Sequence, residues 1–275
     1  EGSFATGLEA VYAIATDLPG RVYVSGDRGV RVFGPDGAPA GVIPSAGPVY
    51  GLATDEVGNI AVGRADWVGI YDPQFNAIVS WRISEEGVRL TAVAMDDENL
   101  FVADGGNRIV LRFDREGTEV GRFGQRDEVL EHPGFAVPSP NFDLAMGRDR
   151  LLRIVNPGRG WVEYWTGRGD RERHWGRMSA RIEGFAPCCN PVHIALLPGG
   201  GLITSEKGLV RIKEYDRDGN LLSVVASPEQ LLGSELAASG NNAVFDVATD
   251  AAGRVLVLDP IQKRVRIFTK NEVEP

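Results

Sequence analysis

Two ladders of residues keep step along the whole chain, and they limit its fold more than any other feature. Alanine recurs at Ala15, Ala53, Ala94, Ala145, Ala195 and Ala248, with spacings of 38, 41, 51, 50 and 53 residues. An aromatic recurs at Phe33, Tyr71, Phe113, Trp165, Tyr215 and Phe268, with spacings of 38, 42, 52, 50 and 53. Spacings that change together mark a repeated unit whose inner distances are fixed while its connections vary in length. In the best-formed unit, residues 89–124, the runs 91–95, 100–103, 109–113 and 118–123 read as short strands. Turn chemistry separates them: Asp97-Glu98-Asn99, the polar stretch from Asp104 to Arg108, and Asp114-Arg115-Glu116-Gly117.

One four-stranded antiparallel sheet is too small to stand alone, so each unit needs copies beside it. A small residue suits a strand near a crowded axis, and an aromatic farther out fills the widening gap between sheets. The expected fold is therefore all-β: a six-bladed β-propeller of four-stranded antiparallel blades, one domain over residues 1–275. The sixth unit has runs at 245–249, 254–258 and 264–269 but little chain after them. The segment from Ser3 to Thr6 is expected to supply its fourth strand, closing the ring and removing an exposed sheet edge.

The repeat string FVADGGNRIVLRFDREG resembles the NHL-repeat family of β-propellers. VYVSGDRGVRVFGPDG, IAVGRADWVGIYDPQ, LITSEKGLVRIKEYDRDG and VLVLDPIQKRVRIF carry the same pattern in weaker form. The resemblance spans about the whole chain and implies the propeller architecture. It implies no activity, because such propellers host binding modules, scaffolds, lyases and hydrolases alike.

At 43% apolar residues the 275-residue chain can bury a large core. Its 29 basic and 38 acidic residues give a net charge of -9, which disfavours nucleic acid as a partner. No apolar run approaches the roughly 20 residues that a membrane-crossing helix needs. The opening residues read like the middle of a protein, so the expectation is a periplasmic or secreted molecule with a leader or anchor removed.

Three connections are long: residues 124–141, 176–192 and 226–244. Each joins an outermost strand to the next innermost strand, so the three crown one half of one face, where ligands are often met. Ser227-Pro228-Glu229-Gln230 reads as a capping box that starts a short helix to about Ala238.

The most unusual string is CCNPVH, from Cys188 through Asn190 to His193. Adjacent α-carbons sit about 3.8 Å apart, short for a disulfide, so a bond between Cys188 and Cys189 closes a strained ring. The pair reads as a vicinal disulfide, as two thiols with a packing role, or as ligands of a soft metal. His193 reads as a ligand or proton relay, or as a histidine bonded at a strand end. The chain's other histidines, His132 in a long loop and His174 on an outer strand, are not placed to join it in a three-histidine zinc site.

The loops between second and third strands add a polar ring on the same face. It comprises Asp27 and Arg28, Arg64 and Asp66, Asp104, Asn107 and Arg108, Asn156 and Arg159, Glu206 and Lys207, and Asp259 and Lys263. Cross-blade ion pairs account for such a ring without a ligand. In the functional reading Arg64, Arg108, Arg159 or Lys207 meets an anionic group, while the cysteines and Phe135 or Phe185 hold an apolar part. No nucleophile elbow, phosphate loop, dinucleotide fingerprint, zinc-protease helix or calcium loop is present. Ser205 and Lys207 share a strand face, but nothing assembles an oxyanion site around them.

The leading expectation is a non-enzymatic propeller that binds a small molecule or protein at the channel face, with no catalytic residue and no resident cofactor. Its site set is Cys188, Cys189, Asn190, His193, Arg64, Asp104, Arg108, Arg159, Glu206 and Lys207. The first alternative is an enzyme resembling the propeller lyases and lactonases, with a divalent metal in the channel drawn from His193, Asn156, Glu206 and Asp259. The second is a thiol–disulfide partner acting through the cysteines.

Overall fold

The computed structural model describes residues 2–129, 131–239 and 242–270. Residues 1, 130, 240, 241 and 271–275 lie outside the described residues, including parts of the first and third long loops. Six four-stranded antiparallel sheets follow one another along the chain, each ordered from an inner to an outer strand. The inner strands are Val11–Thr16, Gly51–Thr54, Leu90–Met95, Leu144–Met146, His193–Leu196 and Asp246–Thr249. Together they surround a central channel of about 220 Å³, and all six ladder alanines line it. Alanine thus recurs where the six strands converge on the channel.

The ring closes as the sequence predicts. Gly2–Ala5 pairs with Arg264–Phe268, setting Ser3 opposite Arg266 and Phe4 opposite Val265, and the Thr6 amide donates to the Lys263 carbonyl at 3.0 Å. Strand ends that would lie open at the seam are thereby paired.

The aromatic ladder shows how each blade leans on the one before it. Phe33, Phe113, Trp165 and Tyr215 pack on Phe4, Trp81, Phe123 and Trp175, with ring centroids 4.9, 5.6, 5.2 and 4.8 Å apart. Each of these partners stands on the outer strand of the preceding blade. The turn glycine that follows each of these four aromatics packs on the same partner: a Cβ on Gly117 would come within 2.6 Å of Trp81, and one on Gly219 within 2.4 Å of Trp175. Both glycines have positive φ, so space and backbone demand the residue together. In the second blade Phe75 takes this turn at φ 70, and its ring lies over Gly41 of the first blade, where no outer-strand aromatic is available.

The capping box forms around Ser227 and Gln230, but the helix does not run unbroken to Ala238. Gly233, at φ 78, separates Pro228–Leu232 from Ser234–Ser239. Among the described residues no helix is long and apolar enough to cross a membrane.

Candidate ligand site at the channel mouth

An inner strand starts on the face that carries both the long loops and the connections between second and third strands. The position two residues before each ladder alanine stands at this mouth. Taken around the ring it is Ala13, Gly51, Ala92, Asp143, His193 and Asp246. Three successive blades place small residues there, and the next three place ionisable ones.

Those three side chains meet at the axis. His193 Nδ1 lies 3.1 Å from Asp143 Oδ2 and 3.2 Å from Asp246 Oδ1. The potential ligand atoms all fall within 4.8 Å of one another. Each carboxylate is also fixed by backbone. Asp143 accepts from the Leu144 amide at 2.8 Å and, across to the next blade, from the Ile194 amide at 3.0 Å. Asp246 accepts from the Val247 amide at 2.7 Å and, across the closing seam, from the Ile14 amide at 2.9 Å. The side chain of His193 keeps 16% of its surface exposed, and the aspartates keep 13% and 10%, so all three remain open to the channel.

Burial works against a charged His193, but Asp246 and then Asp143 outweigh it and push its pKa up to about 9. Burial raises Asp246 to about 6, opposed by His193 and reinforced by Asp143. At neutral pH His193 is therefore an imidazolium, held beside Asp143 and Asp246. Two carboxylates and an imidazole on rigid strand ends suit a divalent or organic cation, which would replace the proton held by His193.

The other expected site residues divide into two groups. Arg108 is exposed at a positive-φ turn, and Lys207 is partly exposed. Arg64 lies 4.3 Å over the Trp67 ring, and its Nε has no hydrogen-bond partner among the described residues. Arg159 donates to the Pro133 and Gly134 carbonyls. Asp104 and Glu206, in contrast, are fully buried and engaged within the fold. Asp104 accepts from the amides of Arg89, Gly106 and Asn107. Glu206 pairs with Arg211 and with Lys213 Nζ, each at 2.8 Å, and accepts from the Ala186 amide. Lys213 in turn donates to the Gly184 carbonyl, holding down the loop that carries the cysteines.

Asn156 is likewise committed, to the Ala136 amide and to Glu163, and Asp259 Oδ1 accepts from two amides of its own loop. Of the channel ligands foreseen for a metal, His193 alone stands in the trio; its partners are Asp143 and Asp246. Phe135 and Phe185 are core residues, 5% and 0% exposed, and offer no apolar platform. His132 is buried against Glu163 at 3.2 Å, while His174 stacks on Trp161. Of the three readings of the cysteine pair, the structure shows Cys188 and Cys189 as free thiols, with sulfurs 3.3 Å apart.

No protein-family model matches this chain, and no curated protein sequence matches it. Solved structures do. A protein of unknown function from Bacteroides thetaiotaomicron superposes with a TM-score of 0.71 at 16% identity, over 98% of this chain and 72% of the other. A streptogramin B lyase gives 0.62 at 13%, over 98% and 97%. An inactive virginiamycin B lyase from Staphylococcus aureus, solved with quinupristin, gives 0.62 at 13%, over 95% and 80%. At these identities what the chain shares with them is the six-bladed propeller fold.

Proposed function

We propose that the protein is a non-enzymatic binding propeller that takes a cationic group at Asp143, His193 and Asp246. The rest of the ligand, a small molecule or a segment of a partner protein, rests on the surrounding face beside Arg64, Arg108, Arg159 and Lys207. The observation that carries this reading is the convergence of three ionisable side chains from three successive inner strands, while the other three blades leave small residues opposite them. The carboxylates are set in place for binding, because each already accepts two backbone amides, which fixes its position at the axis. The likeness of the repeats to NHL propellers is compatible with this role, since such propellers host binding modules and lyases alike.

Calorimetry in metal-free buffer, with Mg²⁺, Ca²⁺, Mn²⁺ and an organic ammonium ion titrated in turn, tests the proposal. At least one cation binds at a single site, and Asp143→Asn or Asp246→Asn weakens it about 10- to 100-fold. Equal affinity in the variants overturns the assignment.

A second reading, a metal-dependent lyase, draws on Asp246, whose carboxyl titrates near 6 beside His193. In that case the donor set would hold a divalent ion, which supplies charge stabilisation at the channel mouth. Turnover of a streptogramin B, lost in Asp246→Asn, would select it over simple binding.

A further inference from the structure

The cation reading leaves CCNPVH unused apart from its histidine, although the fold goes to some length to shape it. Cys188 and Cys189 both adopt positive φ, 67 and 76, a conformation that strains non-glycine residues. Asn190, 1% exposed, holds them there. Its amide donates to the Ala186 carbonyl at 3.1 Å and the Lys207 carbonyl at 3.0 Å, and its oxygen accepts from the Lys207 amide at 2.8 Å. The result is two sulfurs 3.3 Å apart, one on an exposed residue and one on a buried residue. A soft ion held linearly between two thiolates, with metal–sulfur bonds of about 2.3 Å, needs a wider gap. The spacing suits a bond between the sulfurs themselves.

We propose that Cys188 and Cys189 form a redox-responsive modification site that closes reversibly by exchange with a small-molecule disulfide. The exposed Cys188 thiolate attacks one sulfur of R–S–S–R, forming a mixed disulfide and releasing one thiolate RS⁻. Cys189 then loses its proton and attacks Cys188 Sγ, breaking the mixed disulfide and releasing the second RS⁻. The two thiolates take up the two protons, so one R–S–S–R is reduced to two RSH as the protein dithiol is oxidised to one disulfide. Burial raises the Cys189 thiol, with Cys188 reinforcing the shift and Lys207 opposing it, in keeping with Cys188 reacting first. The inference does not depend on the cation reading.

The test exposes the full chain to glutathione disulfide and follows intact mass and the number of alkylatable thiols. The protein loses two hydrogens, both thiols become unreactive, it stays monomeric on a non-reducing gel, and dithiothreitol restores it. Cys189→Ser stops at the mixed disulfide and Cys188→Ser takes up no glutathione. Asn190→Asp, which sets the loop loose, slows the second step about tenfold, so that the mixed disulfide accumulates. A stable glutathione adduct on the unaltered protein, a disulfide-linked dimer, or two thiols still alkylatable after exposure overturns the proposal, as does equal adduct formation on Cys188→Ser.

Discussion

The first three blades and the last three share one backbone plan but join their inner strands by different chemistry. In the first half the links are neutral: Ser25 accepts from the Ala13 amide and donates to the Val49 carbonyl, and Thr91 donates to the Phe142 carbonyl. In the second half carboxylates make the links, Asp143 to Ile194 and Asp246 to Ile14. At the opposite end of the channel the strands are joined by hydroxyls, with Thr16, Thr54 and Thr249 each donating to a carbonyl of the neighbouring blade. A hydroxyl satisfies a link between blades without burying charge, so carboxylates at the mouth carry a desolvation cost that structure alone does not require. That asymmetry is the strongest sign that the second half of the ring bears the function.

The same contrast extends outward. Where the second blade places the half-buried Arg64, the fifth buries Glu206 among Arg211 and Lys213 under a long loop. Glu206→Ala leaves two buried cations without their partner and costs about 3–5 kcal/mol. Arg64→Ala costs less than about 1 kcal/mol beyond its packing on Trp67. Chemical denaturation of both variants measures the difference, and equal losses would break the contrast.

The small side of the mouth is also constrained. A Cβ on Gly51 would stand 2.9 Å from the Val93 amide nitrogen, so Gly51→Ala destabilises by about 1–3 kcal/mol through crowding at the axis. A neutral result in thermal melts would show that the first three blades had room for larger groups and that the asymmetry is incidental.

A smaller effect concerns pH. The folded-state pKa of His193, about 9, lies above its ordinary value, so its contribution to stability is full below about pH 6.5 and is lost as pH rises through 9. Asp246 is also raised, to about 6, so its own contribution is present below about pH 4 and is lost as pH rises through 6. Both slopes run the same way: the melting temperature falls from pH 5 to pH 9.5. His193→Gln removes the upper part of that fall, and an unchanged profile would mean that the three groups do not interact.

The blade plan, the closing strand from Gly2 to Ala5 and the capping box at Ser227 were all legible in the sequence, because each rests on local patterning or on a ladder that repeats. The trio was only partly legible. His193 drew notice as a rare residue, while Asp143 and Asp246 looked like two more acids in an acidic chain. Counting two residues back from every ladder alanine would have exposed them. Asp104 and Glu206 misled for the opposite reason. A carboxylate at a strand end reads as available, and only the folded loop shows that backbone amides or buried cations already claim it. Phe135 and Phe185 lie in long loops yet turn inward, because a loop that covers a core must contribute to it.

The central claim is most directly tested by a crystal structure of the protein soaked in Mn²⁺, with anomalous scattering used to locate the ion. The account predicts one strong peak at the axis, within coordinating distance of Asp143, His193 and Asp246, with the His193 ring turned to offer a lone pair. A peak elsewhere on the molecule, together with an axis still closed by the imidazolium between its two carboxylates, would contradict it.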